Sequence, residues 1–162
     1  MIATLCGIAL VAGAIVLRLF WRQSQWGGES LSLVATEHPI ASRCGPHDLR
    51  GRLDAIYRNA AGQMVPVEYK SRNGKTYPGD LLQLSIYGWM LRKTGQPAAG
   101  YGFVVTGTGI GRKAARITLY GDAQVEGAIH RFADLAQGHS QPNKRNDRMC
   151  RSCSQRTACR PA

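Results

Sequence analysis

A chain of 162 residues has room for one domain with a substantial core and short appendages. Lys and Arg outnumber Asp and Glu by 21 to 10, a formal charge of +11. This excess turns the search away from cationic partners and toward polyanions: nucleic acid, an anionic membrane surface, or both. It does not choose between them and does not bear on the fold.

The first element is an apolar run, "IATLCGIALVAGAIVL" from Ile2 to Leu17, followed by "RLFWRQSQW". With Leu19, Phe20 and Trp21 added, the run approaches the about 20 residues that span a bilayer. Arg18 suits a snorkelling position, and Trp21 and Trp26 suit an interfacial belt. A signal peptide carries its positive charge before the apolar run, whereas here Arg18 and Arg22 follow it. A transmembrane anchor over 1–22 is therefore expected, with the remaining domain on the cytoplasmic side of the inner membrane. A buried N-terminal core helix is the alternative, and Cys6 inside the run reads as a small apolar residue.

Residues 23–40 read as a linker with one weak strand, "LSLVAT", before a proline- and glycine-bearing loop. "RGRLDAIYR" and "MVPVEYK" alternate in strand fashion around the turn "NAAGQ", which predicts a hairpin. "DLLQLSIYGWMLRKTG" predicts a helix of about four turns, with Asp80 at its start, Arg92 and Lys93 in its last turn and Gly95 as its stop. Strands "AAGYGFVVTG" and "RKAARITLY" follow. A second helix, "DAQVEGAIHRFADLAQG", places Val125, Ile129, Phe132 and Leu135 at helical spacing. This order predicts a single α/β domain with a mixed sheet over 41–137, then a basic cysteine-bearing tail over 138–162.

Strand alternation puts Asp54 on one face with Arg52 and Ile56, and Glu68 on one face with Lys70. Adjacent strands can then present Asp54, Glu68 and Lys70 to one point. Two carboxylates and a nearby backbone carbonyl make an oxygen-rich site suited to Mg²⁺ or Mn²⁺. Such a cation polarises a phosphodiester and activates water, and a lysine steadies the developing negative charge. An isolated E-x-K is common strand decoration, so the pair needs its context.

That context is a succession: "GRLD" from Gly51 to Asp54, "EYK" from Glu68 to Lys70, and Gln83 with Tyr87 at i and i+4 on one helical face. It resembles the PD-(D/E)XK nuclease superfamily, and within it the RecB-like branch that includes the CRISPR-associated RecB-like exonucleases. The resemblance covers 51–120 and implies a restriction-endonuclease-like core, a mixed β-sheet flanked by helices. It implies Asp54 and Glu68 as metal ligands, the carbonyl of Tyr69 as a further one, Lys70 as catalytic, and Gln83 and Tyr87 as orienting substrate or the lysine. Asp80 shares their stripe, or serves the helix dipole. The family's name-giving proline is Leu53 here. Relatives carry a metal-binding histidine on an N-terminal helix, for which His38 and His47 are candidates by position, against the plain reading of loop histidines.

The tail holds Cys150, Cys153 and Cys159 as C-x₂-C-x₅-C, a spacing that can wrap one metal or cluster. By the same resemblance these cysteines, with Cys44 as fourth ligand, hold a 4Fe–4S cluster in preference to Zn²⁺; thiolate chemistry alone does not separate the two. A cluster would agree with a reducing cytoplasm and not with a disulfide framework. Lys144, Arg145, Arg148, Arg151, Arg156 and Arg160 make the tail a phosphate-contacting zone, or an anionic-lipid contact. "TGTGIGRK" matches neither phosphate-binding glycine pattern and precedes a strand, so it reads as a turn, with Arg112 and Lys113 free to meet a nucleic-acid backbone. Tyr77 and Trp89 can stack on bases, Trp89 equally being core.

The expected function is a membrane-anchored, metal-dependent DNase. By resemblance it is an exonuclease on single-stranded DNA or free ends, alongside a separate helicase or DNA-processing partner. Two rivals stand beside it. One is a catalytically inactive membrane-associated nucleic-acid-binding module with a Zn or Fe–S tail. The other is a zinc-ribbon adaptor in which the E-x-K is chance.

Overall fold

The computed structural model describes residues 26–140. The predicted anchor over 1–22 with Cys6, and the tail from 141 with Cys150, Cys153, Cys159 and its basic residues, lie outside them. No helix among the described residues is long and apolar enough to cross a membrane. The chain divides into two compact units, Met1–Glu126 and Gly127–Ala162.

The first unit is built on a five-stranded sheet whose spatial order follows the sequence: β1 (Ser32–Cys44), β2 (His47–Arg58), β3 (Met64–Lys70), β4 (Tyr101–Thr106) and β5 (Lys113–Thr118). The first two pairings are antiparallel, β3 and β4 are parallel, and β4 and β5 are antiparallel. A parallel pair needs a crossover, and helix α1 (Pro78–Lys93) supplies it. The expected mixed sheet and hairpin are present, and a short 3₁₀ turn at Gly109–Gly111 joins β4 to β5. The glycine-rich segment is thus a turn between strands.

Strand alternation sorts the core onto two faces. Ala55, Val65, Val67, Phe103 and Val105 form one cluster with Trp26 and Ala99. Leu84 of α1 packs with Val104 and Leu119 on the other. The middle strand β3 is buried at every position from Met64 to Glu68 because both faces are covered. Pro66 lies in that strand with no amide to donate, and a Cβ on Gly102 would come 2.6 Å from the Pro66 carbonyl oxygen. That position therefore has no room for a side chain.

Two expectations, the interfacial Trp26 and the linker with its weak strand, need correction, and of the two readings of Trp89 the core one holds. Trp26 is not placed for a membrane interface: it is 3% exposed, packed at 4.9 Å from the Tyr57 ring and 5.1 Å from Phe103. The linker it belongs to is tied to the sheet, since Glu29 accepts from the Tyr101 hydroxyl at 2.6 Å and pairs with Arg116 at 2.8 Å. The weak strand and following loop are one 13-residue strand, β1, running through Pro39; an edge strand tolerates a proline, because its outer amides have no ladder to serve. Trp89 is core, fully buried with its indole N–H donating to Glu126 at 3.1 Å.

The second helix, α2 (Asp122–Ala136), begins in the first unit and continues into the second. Val125 and Ile129 of its predicted apolar stripe are buried, whereas Phe132 is 73% exposed.

Replacing Gly102 by Ala is expected to destabilise the fold by about 1–3 kcal/mol, the range for overpacking a filled core. A thermal melt of Gly102→Ala against the parent checks this, and an unchanged midpoint would remove the close-approach argument.

Candidate active site

β2 and β3 stay in register through Ala55 opposite Val67. The next residues outward, Asp54 and Glu68, leave that rung on the face toward α1. There Asp54 Oδ2 accepts the Tyr69 amide at 2.8 Å, which ties the end of one strand to the other. The Tyr69 ring turns to the opposite face, where its hydroxyl meets that of Tyr57 at 3.2 Å. The contact of Tyr69 with Asp54 is thus through its backbone amide and not its ring.

Glu68 is 5% exposed. It lies beside Val104 in the parallel register, and the α1 crossover covers that face. Its Oε1 accepts from the Lys70 ammonium at 2.6 Å and from the Gln83 amide at 2.9 Å. Gln83 closes a triangle by accepting from Lys70 at 3.1 Å. Glu68 Oε2 is buried with no hydrogen-bond partner. Burial pushes the Glu68 carboxyl above the usual carboxylate range. Lys70 and Gln83 act downward and the Asp54 charge upward, without reversing the shift.

Asp80 joins the same group. Its carboxylate accepts the Tyr77 amide at 2.8 Å at the start of α1, pairs with the Arg72 guanidinium, and lies 3.9 Å from the Lys70 ammonium. Burial pushes its carboxyl up, but Arg72, the Tyr77 amide and Lys70 outweigh this and hold it below its ordinary value. The helix-dipole and site readings of Asp80 thus hold together. The glycine-rich turn fixes the segment after Lys70: the Gly107 amide donates to the carbonyls of Lys70 at 3.0 Å and Arg72 at 2.9 Å.

Tyr87 does not reach the lysine. Its hydroxyl donates to the Arg52 carbonyl at 2.8 Å, and a Cβ on Gly51 would meet its ring at 2.6 Å. Its contact is with the β2 backbone just before Asp54, and Gly51 makes room for the ring. His38 is exposed on β1 opposite Leu53, and His47 pairs with Cys44 at the other end of the hairpin. Neither stands opposite Asp54. Cys44 is buried, and burial, followed by the Glu126 charge, pushes its thiol up, with Lys93 acting the other way. Leu53 is core. Arg72 and Gly107 were not singled out from sequence for these roles. The signal for Arg72 was its place two residues beyond Lys70, continuing the spacing of Glu68 and Lys70 just past the end of β3; that of Gly107 required the β3–β4 pairing.

Among the described residues no group of three His, Cys, Asp or Glu side chains is placed to hold a metal ion. Two carboxylates and a carbonyl still fit Mg²⁺ or Mn²⁺, since Mg²⁺ keeps several waters and takes one or two carboxylates. The fit is carried by Glu68 Oε2, a buried acceptor that protein donors leave unsatisfied.

A buried glutamate and a half-buried aspartate with a lysine, toward the strand ends of a mixed sheet, make up the candidate site. A family model of the PD-(D/E)XK nuclease superfamily matches residues 9–160, and the chain belongs to that superfamily. It is similar to the crystal structure of SSO0001, at 26% identity and a TM-score of 0.53, over 93% of this chain and 70% of that one. Comparison with curated proteins gives no match.

A carboxyl with a raised pKa holds its proton more tightly in the fold than in the unfolded chain. This contribution to stability is complete below the ordinary Glu range and is lost as pH rises through the raised pKa. A cation must displace the same proton. Mn²⁺ affinity is therefore expected to rise with pH above the ordinary carboxylate range, by up to about tenfold per unit. Titration calorimetry in buffers of different ionisation enthalpy checks this by counting released protons. Proton release unchanged in Glu68→Gln would assign the effect elsewhere.

Proposed function

We propose that this chain is a metal-dependent deoxyribonuclease that hydrolyses single-stranded DNA from free ends, close to the CRISPR-associated RecB-like exonucleases. The observation that carries the reading is Glu68, with one oxygen committed to Lys70 and Gln83 and the other buried and unsatisfied, in a carboxyl that feels the Asp54 charge.

In this reading Asp54, Glu68 and the Tyr69 carbonyl would hold Mg²⁺ or Mn²⁺. When bound, the cation supplies a Lewis acid for the phosphodiester and lowers the pKa of a water. The protein's own groups do the rest. The Tyr69 amide fixes the Asp54 carboxylate, so it need not reorganise. Lys70, held between Glu68 and Gln83, presents its ammonium where negative charge builds on the phosphate. Gln83 sets the angle of both partners at once. Tyr87 acts as a positioning residue, through the Arg52 carbonyl.

The rest of the chain enters the same proposal. The apolar run at the N-terminus anchors the enzyme in the cytoplasmic membrane, with the nuclease domain on the cytoplasmic side. The basic tail meets nucleic-acid phosphates, and a separate helicase or processing partner supplies the strand. Cys44, Cys150, Cys153 and Cys159 hold a 4Fe–4S cluster, supported by the C-x₂-C-x₅-C spacing; its binding must expel the proton that burial keeps on Cys44.

Purified parent protein is expected to degrade single-stranded DNA with Mn²⁺ or Mg²⁺ and not with a chelator. Glu68→Ala and Lys70→Ala are expected to lower the rate by about a hundredfold or more, as for removal of a preorganised charge. Cutting at the parent rate in both variants, or none under any divalent metal, would sink the nuclease reading. The cluster is checked separately: anaerobically purified protein should be brown with thiolate-to-iron absorption, and Cys150→Ser should bleach it. A colourless protein carrying stoichiometric zinc would replace the cluster by Zn²⁺.

A further inference from the structure

The contacts that begin at Glu68 do not end at the lysine. Lys70 lies 3.9 Å from Asp80, Asp80 pairs with Arg72, and the Arg72 guanidinium carbon sits 4.8 Å from the centre of the Tyr77 ring. Tyr77 is 57% exposed, among the few large hydrophobic side chains that the described residues leave in solvent. An aromatic ring at the rim of a phosphodiesterase site, with a cation against it and a buried carboxylate behind, is a preorganised surface. The Tyr77 amide is held by Asp80, and Pro78 restricts the backbone that follows. Arg72 is held by the same carboxylate, so its guanidinium is already placed against the ring.

We infer that Tyr77, backed by Arg72, is a nucleobase-stacking subsite that takes an unpaired base of the DNA strand entering the Lys70 site. This deepens the proposed nuclease reading and rests on it for the identity of the ligand. Stacking is indifferent to base identity because every base offers a π-face, and a neighbouring arginine strengthens it. Within a duplex those faces are already covered by adjacent base pairs, so the subsite selects single strands and frayed ends. Exposed Lys75, in the same connection between β3 and α1, adds positive charge for the backbone. The bland role for Tyr77 is to pack Arg72 in place, and the two roles differ in what the ligand must possess.

The test measures binding without any divalent metal, so that cleavage plays no part. A short oligothymidylate is compared with the same sugar-phosphate backbone lacking bases, for the parent and for Tyr77→Ala, Tyr77→Leu, Tyr77→Phe and Tyr77→Trp. Loss of one stack is expected to weaken oligothymidylate binding about tenfold in the Ala and Leu variants. The Phe and Trp variants should bind as the parent does, and all five proteins should bind the base-free backbone alike. Parent-like binding by Tyr77→Ala overturns the inference. So does an equal loss on both ligands, which would mean Tyr77 acts only through Arg72 or the fold. A parent that does not bind oligothymidylate overturns it as well. Failure of the nuclease reading appears elsewhere, as absent cleavage with metal in a parent that still shows the base-dependent binding difference. Thermal melts of the variants confirm that the fold survives, since the backbone bond to Asp80 needs no Tyr77 side chain.

Discussion

The structure turns on a carboxylate buried beneath a helix. Glu68 sits on the middle strand at the point where α1 crosses the sheet. Burying a charge there is costly unless it is paired and hydrogen-bonded. The protein meets half of that requirement, with an ammonium and an amide on one oxygen, and leaves the other oxygen without a donor. A purely structural ion pair would gain by satisfying both. The incomplete satisfaction of Glu68 is the observation on which the proposed function rests.

Around this residue the supporting groups are layered outward. Gln83 ties α1 to the carboxylate and the lysine together, and Asp80 ties the start of the same helix to Arg72 and, more loosely, to Lys70. Gly107 pins the chain just after Lys70 from the neighbouring strand. Tyr87 reaches the main chain before Asp54 instead of the reacting groups, in space left by Gly51. The two ends of the G-R-h-D and Q-x-x-x-Y motifs are thus packed against each other. Their joint presence is one steric fact in addition to two chemical ones.

A positive net charge and an oxygen-rich site answer different halves of the recognition problem. The excess of Lys and Arg raises the local concentration of any polyanion without discriminating among them. Discrimination requires groups of fixed geometry. Within the described residues, Lys70, Asp80, Arg72 and Tyr77 are joined by such contacts, and the proposed base-stacking subsite rests on them.

Much of the fold was legible in the residue order. The β2–β3 hairpin, the helix from Pro78 to Lys93 with its Gly95 stop, and the strands on either side of the glycine-rich turn follow from period, turn chemistry and capping, which are local. The pairing of Glu68 with Lys70 on one strand face was legible for the same reason. The docking of Trp26 was not, because an aromatic near an apolar run reads alike whether it meets lipid or a sheet. The full length of β1 was hidden because its edge position, which makes Pro39 harmless, is a property of the sheet. Phe132 kept helical spacing yet lies in solvent, since period gives a stripe without saying what covers it. Sequence by itself determined which side chains could share a face and which charges they carry. Tertiary structure alone decided that Glu68 is desolvated, that Gln83 touches both its partners while Tyr87 touches neither, and that Asp80 and Arg72 join the contacts around Lys70. Burial and long-range hydrogen bonds exist only once the strands and the helix have met.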